Sequence, residues 1–321
     1  MERIPLAGVV PILMTPVLED DEIGWDDLCR EVDFLIAHGI RTFGFGFGSE
    51  VFRLTDSERD DALDVVVQHT ARRAHVIANV LAGSTAAAVR RAEVAKSSGA
   101  SAVMLPGPVF SNADQASLFR HYATVAETVD LPIVVQDAPA MSGTELTTDL
   151  LARLARELEQ VVALKIESEP SAPKIGRIVA ELDGEVAVLG GGAGLDFLHE
   201  LDRGADGTMP GPGLCDWFLR VWHLHREGRA DQARDVFQRL LPLLVLALRS
   251  MDTFLFVEKE ILRRRGVVST ARLRLPVSPP EPTLLAELDS LLEQLDLSLW
   301  VDPSLAGELA ASDGDLTSEV I

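Results

Sequence analysis

Four lysines serve the whole chain, Lys96, Lys165, Lys174 and Lys259, and Lys165 interrupts an apolar run. In Val161-Val162-Ala163-Leu164-Lys165-Ile166-Glu167-Ser168, strand alternation puts Val162, Leu164 and Ile166 on one face and Val161, Ala163, Lys165 and Glu167 on the other. One face is greasy; the other is small, then charged. That is the pattern of a barrel strand whose inner face opens into a site at its carboxyl end. An amine partly desolvated there is favoured in its neutral form, the nucleophile that condenses with a ketone to a Schiff base. A structural ion pair between Lys165 and Glu167 accounts for the same pattern, and this stretch alone does not separate the two readings.

Proton transfer needs further groups. Glu167 shares the inward face and lies nearer the strand's carboxyl end, so it is the first candidate for general acid and base. Asp137, at the end of the fifth strand, is the second and Glu50 the third. For both of these, accepting loop amides competes on equal terms with catalysis. Gln136 can donate to a substrate carbonyl or hydroxyl but carries no proton at neutral pH. The carboxylate of a 2-oxo acid would draw on the Ser49 hydroxyl and the backbone amides around Gly48-Ser49. Gly190-Gly191-Gly192 follows the seventh strand, where barrels often bind anions, although a triple glycine also serves as a plain turn.

Other chemistries find less support. A chain of 321 residues with a formal net charge of −21 repels nucleic acid and anionic membranes, and Arg263-Arg264-Arg265 is too short a basic run to reverse that. Cys29 and Cys215 stand apart from any ligand-spaced cluster, which predicts reduced thiols in a cytoplasmic protein. The amino end lacks a basic leader, and the apolar run Leu240–Leu248 is short and contains Pro242, so no membrane span is expected. The seven histidines are scattered, with His223 and His225 pointing to different sides of a helix, so no metal is expected. Gly44-Phe45-Gly46-Phe47-Gly48 imitates a dinucleotide fingerprint, but its last glycine comes too early. No cofactor is implied.

Short apolar runs alternating with amphipathic helices position these residues. The expected strands are Leu6–Met14, Thr42–Phe47, His75–Val80, Ala102–Leu105, Ile133–Gln136, Ala163–Glu167, Val186–Leu189 and Gly207–Met209. Between them lie helices such as Trp25–His38, closed by Gly39, Thr55–His69, opened by a Thr55/Glu58 capping box, and Ser84–Ser98, ended by Gly99. Such alternation predicts an α/β fold, a (β/α)₈ TIM barrel over residues 1–225. Consecutive helices then make a C-terminal helical extension over 226–300, and 301–321 reads as an acidic, flexible tail.

Several segments together resemble the dihydrodipicolinate synthase and N-acetylneuraminate lyase family of class I, Schiff-base-forming aldolases. They are Gly8-Val9-Val10-Pro11-Ile12-Leu13-Met14-Thr15-Pro16, Gly46-Phe47-Gly48-Ser49-Glu50 with Leu54-Thr55, Leu131-Pro132-Ile133-Val134-Val135-Gln136-Asp137-Ala138-Pro139 ending at Gly143, Lys165 itself, and Glu260-Ile261-Leu262-Arg263-Arg264-Arg265-Gly266. The resemblance implies a Schiff base at Lys165 with pyruvate or a related 2-oxo acid, in a homo-oligomer, tetramer or dimer. It also exposes departures. Phe47-Gly48-Ser49 replaces the family's threonine pair, Gln136 its proton-carrying tyrosine, Phe110 the companion tyrosine that reaches in from a neighbouring subunit, and Met141 its carboxylate-binding arginine. The lone tyrosine, Tyr122, falls in a helix. The departures argue against dihydrodipicolinate synthesis itself. With Phe47 and Phe110 at the mouth, they point to a substrate less hydroxylated than sialic acid, with an apolar or aromatic arm. Aldol-type cleavage, dehydration of a 2-oxo sugar acid on the same imine, and a catalytically silent metabolite-binding or assembly protein all remain open.

Overall fold

The computed structural model describes residues 4–277, 280–295 and 297. In chain order its elements are β1 (Gly8–Val9), α1 (Trp25–Ala37), β2 (Thr42–Gly44), α2 (Asp56–Thr70), β3 (His75–Asn79), α3 (Thr85–Ser98), β4 (Ala102–Pro106), α4 (Gln115–Val129), β5 (Ile133–Asp137), α5 (Pro139–Ser142), α6 (Thr148–Glu157), β6 (Val161–Ile166), α7 (Ser171–Leu182), β7 (Ala187–Gly190), α8 (Phe197–Leu201), β8 (Gly207–Thr208) and α9 (Cys215–Arg226). Three further helices follow: α10 (Ala230–Ala247), α11 (Met251–Arg264) and α12 (Pro282–Leu292).

The strands pair in parallel in the order β1-β8-β7-β6-β5-β4-β3-β2. A parallel bridge between Ile12 and Gly44 joins the two ends, with Leu13 N donating to Gly44 O (2.8 Å) and Gly44 N to Pro11 O (3.0 Å). The ring is therefore a (β/α)₈ barrel. β1 is much shorter than the expected Leu6–Met14, because Pro11 has no N–H to give a ladder.

Alternation sorts the core into two shells. Val10, Ile12, Ile77, Ala102, Met104, Val134, Ala163, Leu189 and Met209 pack inside the ring. A larger cluster, with Leu164 and Ile166 among it, fills the space between strands and helices. The expected sorting of β6 fails at its start. Ile133 pairs with Val161 but Val134 pairs with Ala163, so Val162 is an extra residue. This bulge exchanges the faces of the two valines: Val161 joins the outer cluster and Val162 packs on the inner one. Beyond the bulge the phase is as expected, and Lys165 points inward.

Local signals set the helix ends. Thr55 Oγ1 accepts Glu58 N (3.3 Å) while Glu58 Oε2 accepts Thr55 N (2.7 Å), a reciprocal cap that satisfies two donors the helix leaves open. α3 begins at the Ser84 cap and ends at Gly99, whose φ of +86° is left-handed. Among the described residues no helix is long and apolar enough to cross a membrane. The acidic segment 301–321 lies outside the described residues.

Candidate active site

β5 and β6 run side by side with Gln136 in register with Lys165, so alternation brings both side chains into the ring. They open into a cavity of about 310 Å³. Lys165 is only 3% exposed. Glu167, just past β6, sets Oε1 3.2 Å from Lys165 Nζ. The same oxygen accepts Gly192 N (3.2 Å), and Oε2 accepts Gln136 Nε2 (2.6 Å). Gln136 Oε1 is buried without a protein partner, leaving an acceptor for a substrate hydroxyl. A Cβ at Gly191 would lie 2.2 Å from Glu167 Cγ, so the turn after β7 needs glycine there to let the carboxylate lie against it. Among the described lining residues Lys165 and Glu167 are the titratable ones.

Phe47 and Gly48 also line the cavity, from a 3₁₀ turn after β2. In an eight-strand ring of this order β2 stands across from β6, so they face Lys165. The remaining expected residues go elsewhere. The Ser49 hydroxyl is buried, donating to Leu13 O and accepting Gly46 N (3.1 Å), so it holds the turn to the first strand rather than meeting an anion. Glu50 is 1% exposed and paired with Lys259 and Arg53. Asp137 follows Gln136 directly and therefore points out of the ring. There it accepts Lys174 Nζ (2.7 Å) and the Ser168 hydroxyl (2.5 Å) on the same oxygen, while the other accepts Leu146 N (3.4 Å). Asp137 is an anchor for the loops after β5 and β6, not a proton carrier in the cavity. Gly190 also faces outward, where a Cβ would fall 1.7 Å from Glu200 Oε2. Gly191 supports Glu167 without lining the cavity; Gly192 and Ala193 line it instead. Phe110 is 97% exposed and lies outside the cavity.

Two groups near the site depart from their ordinary acidity. Burial pushes the Glu200 carboxyl up to about 8, against the lowering effect of the Ser171 hydroxyl and helped by Asp196, Glu169 and Glu167. Burial also raises the Tyr122 phenol, which lies in the outer core on α4 and not in the cavity. No phenol therefore reaches Lys165. Among the described residues no group of three or more His, Cys, Asp and Glu is placed to hold a metal ion.

The residues missed by the sequence reading come from beyond the barrel. Leu248, Ser250, Met251 and Phe254, at the junction of α10 and α11, line the cavity. No periodicity links such distant positions to Lys165. Ile12, Ala138, Ala140, Met141, Met209 and Pro210 complete the lining from strand ends and the segments that follow.

Comparison with known proteins places this geometry. The model of the dihydrodipicolinate synthetase family matches residues 5–295. An L-2-keto-3-deoxyarabonate dehydratase of Azospirillum brasilense is 34% identical over 301 residues, covering 90% of this chain and 94% of that protein. A 4-hydroxy-tetrahydrodipicolinate synthase of Porphyromonas gingivalis is 27% identical, covering 92% of this chain and 100% of its own length. The crystal structure of dihydrodipicolinate synthase from Rhodopseudomonas palustris superposes with a TM-score of 0.85 at 28% identity, covering 92% of this chain and 100% of that one. With the barrel, the inward lysine on β6 and a match spanning nearly all described residues, the chain belongs to the dihydrodipicolinate synthetase family.

Proposed function

We propose that the protein is a Schiff-base-forming lyase acting on pyruvate or a related 2-oxo acid, with Lys165 as nucleophile and Glu167 as proton carrier. The observation that carries this is the pair itself: an amine and a carboxylate 3.2 Å apart, facing one cavity with no other titratable lining group among the described residues. Lys165 Nζ adds to the 2-oxo carbon, and Glu167 supplies the proton with which the carbinolamine oxygen leaves as water. The iminium then draws electrons from C3. In cleavage, Glu167 takes the proton of a C4 hydroxyl, the C3–C4 bond breaks to release an aldehyde, and the enamine is protonated at C3. In dehydration, Glu167 takes a C3 proton, the C4–O bond breaks, and Glu167 returns that proton to the departing hydroxyl, which leaves as water. Hydrolysis of the imine frees Lys165 in both cases. The dehydratase relative supports the second course. Gln136 holds Glu167 and offers Oε1 to the reacting hydroxyl.

Dihydrodipicolinate synthesis is not its reaction on this reading, because Gln136 and Met141 stand in the cavity where the family carries a tyrosine and an arginine. Pyruvate with aspartate semialdehyde should give no condensation product. Likeness to the family supports a homo-oligomer; sedimentation as a monomer would refute this. A cytoplasmic location accords with the free thiols of Cys29 and Cys215. The decisive experiment is incubation with pyruvate and borohydride, followed by mass-spectrometric mapping. An adduct at Lys165 is expected, and none with any 2-oxo acid would leave a silent, metabolite-binding protein.

A further inference from the structure

The cavity's polar and apolar groups are segregated. Lys165, Glu167, Gln136 and the Gly192 amide come from β5, β6 and the turn after β7. Across the ring stand Phe47 and Gly48, and a Cβ on Gly48 would touch the Phe254 ring at 3.4 Å, so α11 lies directly on the turn after β2. At the mouth are Met141 of the short helix α5, 36% exposed, and Leu248 at the end of α10, 37% exposed, with Met251 and Phe254 of α11 beside them. The one hydroxyl in this upper wall, Ser250, is engaged by α11: it accepts Thr253 N (3.1 Å) as the helix cap and shares a hydrogen bond with Thr253 Oγ1 (2.9 Å). No arginine, and no lysine besides Lys165, lines the cavity among the described residues.

A substrate held as an imine at Lys165, with its reacting hydroxyl at Gln136 and Glu167, must carry whatever extends beyond C4 into this upper wall. A hydroxyl on that arm would leave water for a wall whose only polar side chain is Ser250, and a second carboxylate would meet no cationic side chain other than Lys165. We infer that the substrate is a 4-hydroxy-2-oxo acid whose arm beyond C4 is apolar, alkyl or aryl, and that Met141, Leu248, Met251 and Phe254 select it. This rests on the imine reading above and adds the identity of the arm.

The wall came to its place for structural reasons that keep it rigid. Glu50, which ends the turn bearing Phe47 and Gly48, is bound by Lys259 of α11 and by Arg53, and Arg53 also pairs with Asp252 in the first turn of α11. Two ionic ties thus fix α11 to the turn after β2 on either side of Phe254. A rigid apolar wall discriminates by leaving a wrong polar group unsatisfied, which is worth about tenfold or more per hydroxyl.

The test uses the full chain with three substrates: 4-hydroxy-2-oxo-4-phenylbutanoate, 4,5-dihydroxy-2-oxopentanoate and 4-hydroxy-2-oxoglutarate. Each is assayed for kcat/KM, and in parallel pyruvate is trapped with borohydride. The expected result is an adduct at Lys165 and a kcat/KM at least tenfold higher for the phenyl compound than for either polar one. Met141→Arg, checked for an unchanged circular dichroism spectrum, should move the preference at least tenfold toward the oxoglutarate while pyruvate is still trapped. A preference for the dihydroxy or dicarboxylic compound, with the Lys165 adduct intact, overturns the inference and leaves the imine reading standing. Absence of any adduct removes the imine reading and the inference with it.

Discussion

On the proposed reading Lys165 and Glu167 divide the work of an imine enzyme between a nucleophile and a proton carrier, and each substitution should fail in its own way. Lys165→Ala should abolish the borohydride adduct and lower turnover by more than about a thousandfold, since no other lining amine replaces it. Glu167→Gln keeps a similar shape and should leave the adduct trappable while turnover falls by about 10²- to 10⁴-fold, the usual worth of a positioned acid or base. Unchanged turnover would exclude Glu167 from the chemistry. Gly191→Ala should mimic part of that loss in a stable protein, because its methyl would occupy the place of the Glu167 side chain. The inward placement of Lys165 beside Glu167 was legible from strand alternation, which left a structural ion pair equally open until the resemblance to a known family was added. Asp137 misled for a reason that strand geometry itself supplies. If Gln136 faces Lys165, its neighbour faces away, and the carboxylate at the strand's end serves Lys174 and Ser168 instead.

Strands and helices were read more surely than the walls they build. Seven of the strands fall within a few residues of the hydrophobic runs, since a buried parallel strand needs an unbroken apolar segment and Gly or a capping residue marks the intervening helices. The bulge at Val162 left no mark in the sequence, because two adjacent valines satisfy either shell. The contribution of α10 and α11 was equally hidden: their amphipathic pattern says that one face is buried, not against what. Their seat on the barrel is ionic as well as apolar. Lys259→Met should leave Glu50 buried with Arg53 as its remaining cation and destabilise the protein by about 1.5–3 kcal/mol, read as a lowered urea midpoint. The paired change Glu50→Gln with Lys259→Met should recover part of that loss, because it removes both charges of the broken pair together. No recovery would mean that packing, rather than the broken ion pair, sets the cost.

At the scale of the whole molecule, acid groups buried without cations should make stability depend on pH. Burial raises Glu258 to about 7, opposed by its bond from Gly213 N, and raises Glu200 to about 8, both from an ordinary 4.5. A carboxyl that titrates higher folded than unfolded contributes fully below about 4.5, and the contribution is lost as pH climbs through its folded value. The melting temperature should therefore fall between pH 5 and pH 8, in the same direction as self-repulsion from a net charge of −21. Glu200→Gln and Glu258→Gln should each flatten that slope, and a slope identical to the parent's would exclude these groups as its source. The placement of Leu248, Met251 and Phe254 has one more consequence. Lys165 belongs to the sixth strand, whereas most of the apolar wall of its cavity is spelled out some eighty residues later in the gene, with Met141 and Phe47 the exceptions inside the barrel. On the proposed reading, reactivity and most of taste are thus written in separate stretches, and recombination downstream of the barrel can alter the diet without rewriting how the enzyme reacts.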